Sequence, residues 1–306
     1  MFSNSKILLS EINKFISFDL ISDEEISFVG KLDLRHDEMN NILVYCNNEI
    51  YLQKALQMDS VSAVIVGEES LVKIASSYDK GIIFHQNPKD ISNLIQNHIS
   101  KIENFQWKNF KSRIANSAKI HSSAQIASSN VVIGENTVIC ANACINERTL
   151  IGSDCIVKEG VILGTDAFEV YGEDDKRSIA AQSGGVKICD NVSIQALCSI
   201  IRASYGGFTT LEKNTKLDAN IHIAHDCIVG KNVSIAASAM LAGNVYIGKN
   251  TFVGPSSSIS NGVSIGENCW ITIGSNVVRD VRNNSRVTGN FAIDHKLFIE
   301  NLKKSL

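Results

Sequence analysis

The segment of this 306-residue chain richest in proton-transfer chemistry runs Leu217-Asp-Ala-Asn-Ile-His222-Ile-Ala-His225-Asp226-Cys227. An imidazole titrates close to neutral pH, so it can take a proton from a reacting group and give it back. A carboxylate beside it can raise its basicity or hold it in one tautomer. His225 is therefore the candidate base, Asp226 its orienting partner and His222 an assisting group. The register described below puts His225 outside the aliphatic stack, where a histidine is often no more than a corner residue. Cys227 with His222 and His225 offers only three metal ligands, and no fourth lies at a suitable spacing, so no metal is expected.

The element that positions this segment is a repeat. From Ile133 an aliphatic residue recurs every sixth position through Ile139, Ile145, Ile151, Val157 and Leu163. The register returns at Ile188, Ile194 and Ile200, then runs from Leu211 through Ile223, Val229 and Ile235 to Val277, with an earlier short run at Ile114, Ile120 and Ile126. A period of six is neither helical nor that of a free strand. It fits a coil of short strands, each pointing one aliphatic residue at a common axis. Glycine often follows the aliphatic residue (Gly134, Gly152, Gly164, Gly230, Gly248, Gly266, Gly274), where a tight or positive-φ corner is expected.

This pattern, over about residues 110–290, resembles the hexapeptide-repeat acyltransferases. The resemblance implies a left-handed parallel β-helix, a homotrimer and active sites between neighbouring subunits. Within that group, the Ile-Ala-His225 segment preceded by Leu217-Asp218 resembles the catalytic segment of the UDP-3-O-acylglucosamine N-acyltransferases of lipid A biosynthesis. His225-Asp226-Cys227-x-x-Gly230 followed by Leu241-Ala-Gly-Asn-Val-Tyr-Ile-Gly248 resembles sugar N- and O-acetyltransferases of surface glycans. The implied role of His225 is to accept the amine proton as nitrogen attacks a thioester, since an ammonium cannot attack. Tyr45-Cys-Asn-Asn48-Glu-Ile-Tyr51 resembles the F-x-x-N-P-x-Y segment with which the lipid A family holds a uracil base. Carried over, Tyr45 and Tyr51 would stack on the base and Asn48 would bond its edge.

Departures from the lipid A pattern are specific. Ile201 stands where a sugar-holding aspartate is expected, Val263 where a second histidine is expected, and Glu49 where a proline is expected. The loop Gly164-Thr-Asp166-Ala-Phe168-Glu keeps only the outline of the family's glycine-rich loop. The chain stops soon after Val287-Thr-Gly-Asn290, an ending closer to enzymes that use coenzyme A. The implied activity is N-acylation of a UDP- or dTDP-linked amino sugar, with acyl-CoA or acyl carrier protein as donor. The alternatives are the lipid A N-acyltransferase itself and a non-enzymatic scaffold.

The organisation expected is an α/β nucleotide-binding domain over residues 1–103, the β-helix over 104–290 and a short C-terminal helix over 291–306. In the first domain helix is expected near 7–15, 49–57, 69–77 and 90–103, and strand near 26–31, 42–46, 62–66 and 81–85. No GxGxxG follows the first strand, which speaks against a dinucleotide fold. Asn104–Arg113, with Trp107, is expected to pack the two domains together. Two interruptions, Thr165–Gly184 and Ile201–Thr210, read as surface loops on the binding face. Asp166, Phe168 and Gln182 of the first are the expected substrate-loop residues. A net charge of −3 and the lack of a basic patch argue against nucleic-acid binding. The mixed-charge N-terminus leads us to expect no signal peptide, and no apolar run is long enough to span a membrane. The eight cysteines form no CxxC pair and read as buried fillers of a cytoplasmic protein.

Overall fold

The computed structural model describes residues 2–3, 5–32, 39–289 and 294–305. Asn290, and most of the segment joining the coil to the C-terminal helix, lie outside them. The N-terminal elements are β1 (Ile7–Leu8), α1 (Leu9–Ile12), β2 (Asp19–Ser22), β3 (Glu25–Ile26), β4 (Phe28–Gly30), β5 (Ile42–Cys46), α2 (Glu49–Gln57), β6 (Val61–Val66), α3 (Glu69–Ala75), β7 (Gly81–Phe84) and α4 (Pro88–Ile99). Five of the strands form one sheet in the order β2-β7-β6-β5-β4, parallel except for the edge strand β2. Strand alternation splits its two faces cleanly. Leu43, Ala63 and Ile65 join Ile91, Ile95 and Ile99 of α4 on one side. Val44, Val64 and Val66 join Leu52 and Leu71 of α2 and α3 on the other.

Two expectations at the start of the chain are corrected. Ile7 and Leu8 are not helical, because they pair with Ile26 and Glu25 in a small antiparallel ribbon, and only Leu9–Ile12 forms a helical turn. Strand β2 was not foreseen. Its residues alternate between exposed and half-buried, the weak signature of an edge strand.

From Arg113 the chain winds into three long parallel sheets of eight, eight and nine short strands. The strands of the first face run from Arg113–Ile114 to Ser264–Ile265, those of the second from Lys119–Ile120 to Arg286–Val287, and those of the third from Gln125–Ile126 to Asn276–Val277. The architecture is the expected left-handed β-helix, followed in the chain by a short helix, α5 (His295–Ser305). From Ile133 onward every aliphatic residue of the six-period falls inside, whereas in the first coil Ile114 is 44 % exposed and Ile120 and Ile126 are half-buried. Along the third face Leu163, Ile200, Ile223, Leu241 and Ile259 are each fully buried and stacked in register. Each such side chain contributes about 1.5–3 kcal/mol by leaving water.

The corners differ from the sequence reading in a useful way. The left-handed residue lies three positions after the aliphatic one and is most often asparagine, as at Asn214 (φ 65°), Asn232 (φ 58°), Asn250 (φ 59°) and Asn268 (φ 54°). Asparagine tolerates that backbone better than other non-glycine residues. On one corner these amides form a ladder from Asn191 to Asn284, with links of 2.8–3.1 Å. Gly230 and Gly248 have no positive φ. They are required because a Cβ would meet the backbone of the next coil at 2.8 Å and 2.6 Å respectively.

Two positions before the aliphatic residue the coil takes a small donor that bonds a carbonyl of the next coil. Thr251 Oγ1 donates to Gly266 O at 2.9 Å, and Cys198 Sγ to Asp218 O at 3.0 Å. Cys155, Cys227 and Cys269 do the same at 3.1 Å, so these cysteines are interior fillers with a hydrogen-bonding function. In the N-terminal sheet, burial pushes the Cys46 thiol up to about 12.

Candidate active site

His225 sits on the corner that joins the third face to the first. Both interruptions of the repeat fall on this same corner. The longer one leaves the coil after Ile162–Thr165 and re-enters at Gly185–Ile188, and the shorter lies between Ser199–Ile201 and Phe208–Leu211, one coil from His225. Elsewhere this corner is a short turn, so the insertions gather extra structure around one histidine.

Asp226 occupies the left-handed position of its corner (φ 61°), which turns its carboxylate back alongside the preceding residue. Its Oδ2 lies 2.8 Å from His225 Nδ1. Its Oδ1 accepts the Ser204 N–H at 3.1 Å, and its own N–H donates to Thr209 Oγ1 at 2.9 Å. The carboxylate is buried, whereas the imidazole keeps 21 % of its side-chain surface. A carboxylate accepts, so the proton of the neutral ring resides on Nδ1 and Nε2 presents a lone pair. Adjacent residues thus do face each other here, because the corner requires positive φ.

The next coil places Gly243 against the imidazole. A Cβ at Gly243 would lie 2.6 Å from His225 Nε2 and 2.9 Å from Asn261 Oδ1, so any side chain there would have to displace the imidazole. The flanking amides are committed: Ala242 N–H donates to Ile259 O and Asn244 N–H to His225 O. Gly243 N–H finds no acceptor among the described residues. Sequence reading did not single out Gly243, although it lies within the Leu241–Gly248 stretch quoted above. Farther along the corner a recess of about 570 Å³ is lined by residues that include Asn261, Val263, Arg279 and Asp280.

His222 is exposed on the third face, and its Nδ1 lies 2.8 Å from Ser199 Oγ. Partial desolvation first and the nearby His225 second hold its imidazolium below the ordinary range. Cys227 is buried and bonded to Ala242 O, so His222, His225 and Cys227 do not converge on a common point.

The structure brings Tyr45, Asn48 and Tyr51 together around a recess of about 200 Å³ that Lys31, Leu32 and Asn47 complete. Asn48 caps α2, its Oδ1 accepting the Tyr51 N–H at 3.0 Å. That leaves its amide nitrogen as the group with which it can meet a ligand.

The first insertion is chiefly a bracket between the coil and the α/β unit. Glu169 takes Lys31 at 2.8 Å and Lys89 at 3.2 Å. Asn97 of α4 donates to Tyr171 Oη at 2.7 Å and accepts from Ala181 N–H at 2.7 Å. Asp166 is exposed and pairs with Arg202 Nε at 3.2 Å, and Phe168 is 84 % exposed. Gln182 differs from its expected place on a substrate loop. It is buried, its amide bonded to Ala180 O and its own carbonyl to the Arg148 guanidinium. Trp107 packs as expected, between Phe2 at 5.0 Å and Phe208 at 5.9 Å.

Comparison with known families matches the coil alone. Residues 208–243 match the bacterial transferase hexapeptide (six repeats), and residues 143–168 and 244–278 match the hexapeptide repeat of succinyl-transferase. The chain carries the hexapeptide repeat of bacterial transferases. Among solved structures, this hexapeptide-repeat chain is similar to a UDP-N-acetylglucosamine acyltransferase from Campylobacter jejuni, with 28 % identity over 63 % of this chain and 82 % of the other, at a TM-score of 0.47. It is also similar to the UDP-N-acetylglucosamine acyltransferase of Bacteroides fragilis, with 24 % identity over 56 % of this chain and 66 % of that one, at a TM-score of 0.42. The corresponding Arabidopsis enzyme gives 22 % identity over 64 % and 75 % of the two chains, also at 0.42. No curated protein matches the hexapeptide-repeat chain by sequence. None of its helices, among the described residues, is long and apolar enough to cross a membrane.

Proposed function

We propose that this hexapeptide-repeat protein transfers an acyl group from a thioester to the amine of a nucleotide-linked amino sugar. The observation that carries the reading is the His225–Asp226 pair, with a buried carboxylate on Nδ1 and Nε2 turned toward Gly243. In this reading His225 Nε2 removes the proton from the attacking nitrogen as the C–N bond forms. The tetrahedral oxyanion then collapses, the C–S bond breaks, and the imidazolium returns its proton to the departing thiolate. Gly243 N–H is the donor assigned to the oxyanion. His222 stays neutral beside the imidazolium and assists by contact with the acceptor.

The recess at Tyr45, Asn48 and Tyr51 supports a nucleotide base as the handle of the acceptor. With its oxygen in the helix cap, Asn48 offers an N–H to a base carbonyl. Ile201, buried on the third face, supplies no carboxylate to the sugar. The acceptor is therefore assigned as a sugar held with fewer polar contacts at that point, such as a deoxy-amino sugar. Acyl-CoA and acyl carrier protein are both kept as donors, and a homotrimer, whose neighbouring subunits would complete the site, as the assembly.

The test is a mass-spectrometric assay of UDP- and dTDP-linked amino sugars against acyl-CoA esters and acylated carrier protein. An acylated product that survives hydroxylamine is an amide and supports the reading. A product cleaved by hydroxylamine is an ester and replaces N-acylation by O-acylation. Absence of turnover with every pair of substrates contradicts both and favours a scaffold.

A further inference from the structure

The short insertion between Ile201 and Phe208 faces two ways. On one side Tyr205 is 1 % exposed and lies in the apolar cluster of the α/β unit with Leu43, Ile65 and Ile95. Its hydroxyl donates to Asn93 Oδ1 on α4 at 2.9 Å. The next residue, Gly206, has φ 147°, and a Cβ there would meet Met39 Sδ at 2.9 Å and the Phe28 ring at 3.3 Å. The loop is therefore plugged into the α/β unit at a place that accepts nothing larger than glycine. Lys31, which lines the Tyr45 recess, stands 5.3 Å from the Tyr205 ring centroid.

On the other side the same loop holds the reactive corner. Ser204 N–H donates to Asp226 Oδ1, the oxygen that does not face His225. Ser204 lies outside the strand ladder, which resumes at Phe208. Its backbone is fixed by Ser183 N–H, which donates to Ser204 O at 3.0 Å, and by the grip on its neighbour Tyr205. Adjacent residues thus join a ring held by the α/β unit to an amide that aims the carboxylate.

We propose that Tyr205 is a positioning residue: anchored by Asn93, it holds the Ser204 amide against Asp226 and so sets the orientation of His225. The kinetic consequence rests on the acyl-transfer reading, whereas the structural consequence does not. Charged or titratable contact with the reaction is not required of Tyr205, since it acts through two successive hydrogen bonds.

The test uses Tyr205→Phe, Asp226→Asn and the double variant of the full chain. Tyr205→Phe is expected to lower kcat about tenfold with KM for the nucleotide sugar within about twofold, and to cost nothing more once Asp226→Asn is present. Hydrogen exchange at the Ser204 amide, which needs no activity, is expected to quicken about tenfold as its acceptor geometry loosens. An equal kinetic cost on both backgrounds, or unchanged exchange at Ser204, overturns the proposal. Should the wild-type protein show no acyl transfer, exchange alone decides it, and that failure belongs to the functional reading. If Tyr205→Phe does not fold, Asn93→Ala removes the acceptor while keeping the ring and is read by the same criteria.

Discussion

A Cβ on Gly243 would lie 2.6 Å from Nε2 of His225, so the residue one coil away sets the space into which the imidazole points. Gly243→Ala should fold, since the side chain would meet the imidazole rather than the coil axis. It should nevertheless lower kcat by about a hundredfold, because displacing a base by even an ångström is that costly. Circular dichroism and steady-state kinetics on the same sample check this. Near-normal turnover in Gly243→Ala would mean that Nε2 does not work in this notch.

Tyr51 is 39 % exposed at the rim of its recess, so a base bound there as proposed would stack on its ring. Stacking of a base on an aromatic ring is worth about 1–3 kcal/mol. Tyr51→Ala should therefore weaken UDP or dTDP binding about tenfold, measured by calorimetry, with little change in thermal stability. Unchanged affinity would remove the base from this recess.

Glu169 ties the first insertion to the α/β unit. Burial pushes its carboxyl up, but Lys31 and then Lys89 more than offset this, and its pKa is lowered from the ordinary 4.5. A carboxylate with a depressed folded pKa gives its full stabilisation above the unfolded value and loses it as pH falls through the folded one. Denaturation midpoints should thus fall as pH drops below about 4.5, and Glu169→Gln should be less stable at neutral pH with a shallower acid slope. Identical slopes in the two proteins would mean that the clamp carries no linkage.

How much of this was legible in the sequence follows from which forces are local. The six-period was readable because each coil buries the same position, and Ile223 and Val229 had to flank a corner that excluded His225 from the axis. The helix Glu49–Gln57 and the strand Ile42–Cys46 were readable in outline, but the cap that Asn48 supplies was not, since that residue was read only as a contact to a base. The geometry of Asp226 was not, because it depends on a left-handed corner whose role was assigned to the glycines. Nor was the bracket made by Glu169, Tyr171 and Tyr205, since the partners Lys31, Asn97 and Asn93 lie roughly 75–140 positions away in the chain. The burial of Gln182 was not readable for the same reason, since Gln96 and Asn97, which bond its neighbour Ala181, belong to the α/β unit.

The measurement that bears most directly on the account is the turnover of His225→Gln with whichever nucleotide-linked amino sugar and thioester the wild-type protein uses. If His225 is the base, kcat should fall by about 10²–10⁴-fold while the folded protein binds the nucleotide as before. A folded His225→Gln variant with near-normal kcat would contradict the account, because another group would then be taking the proton.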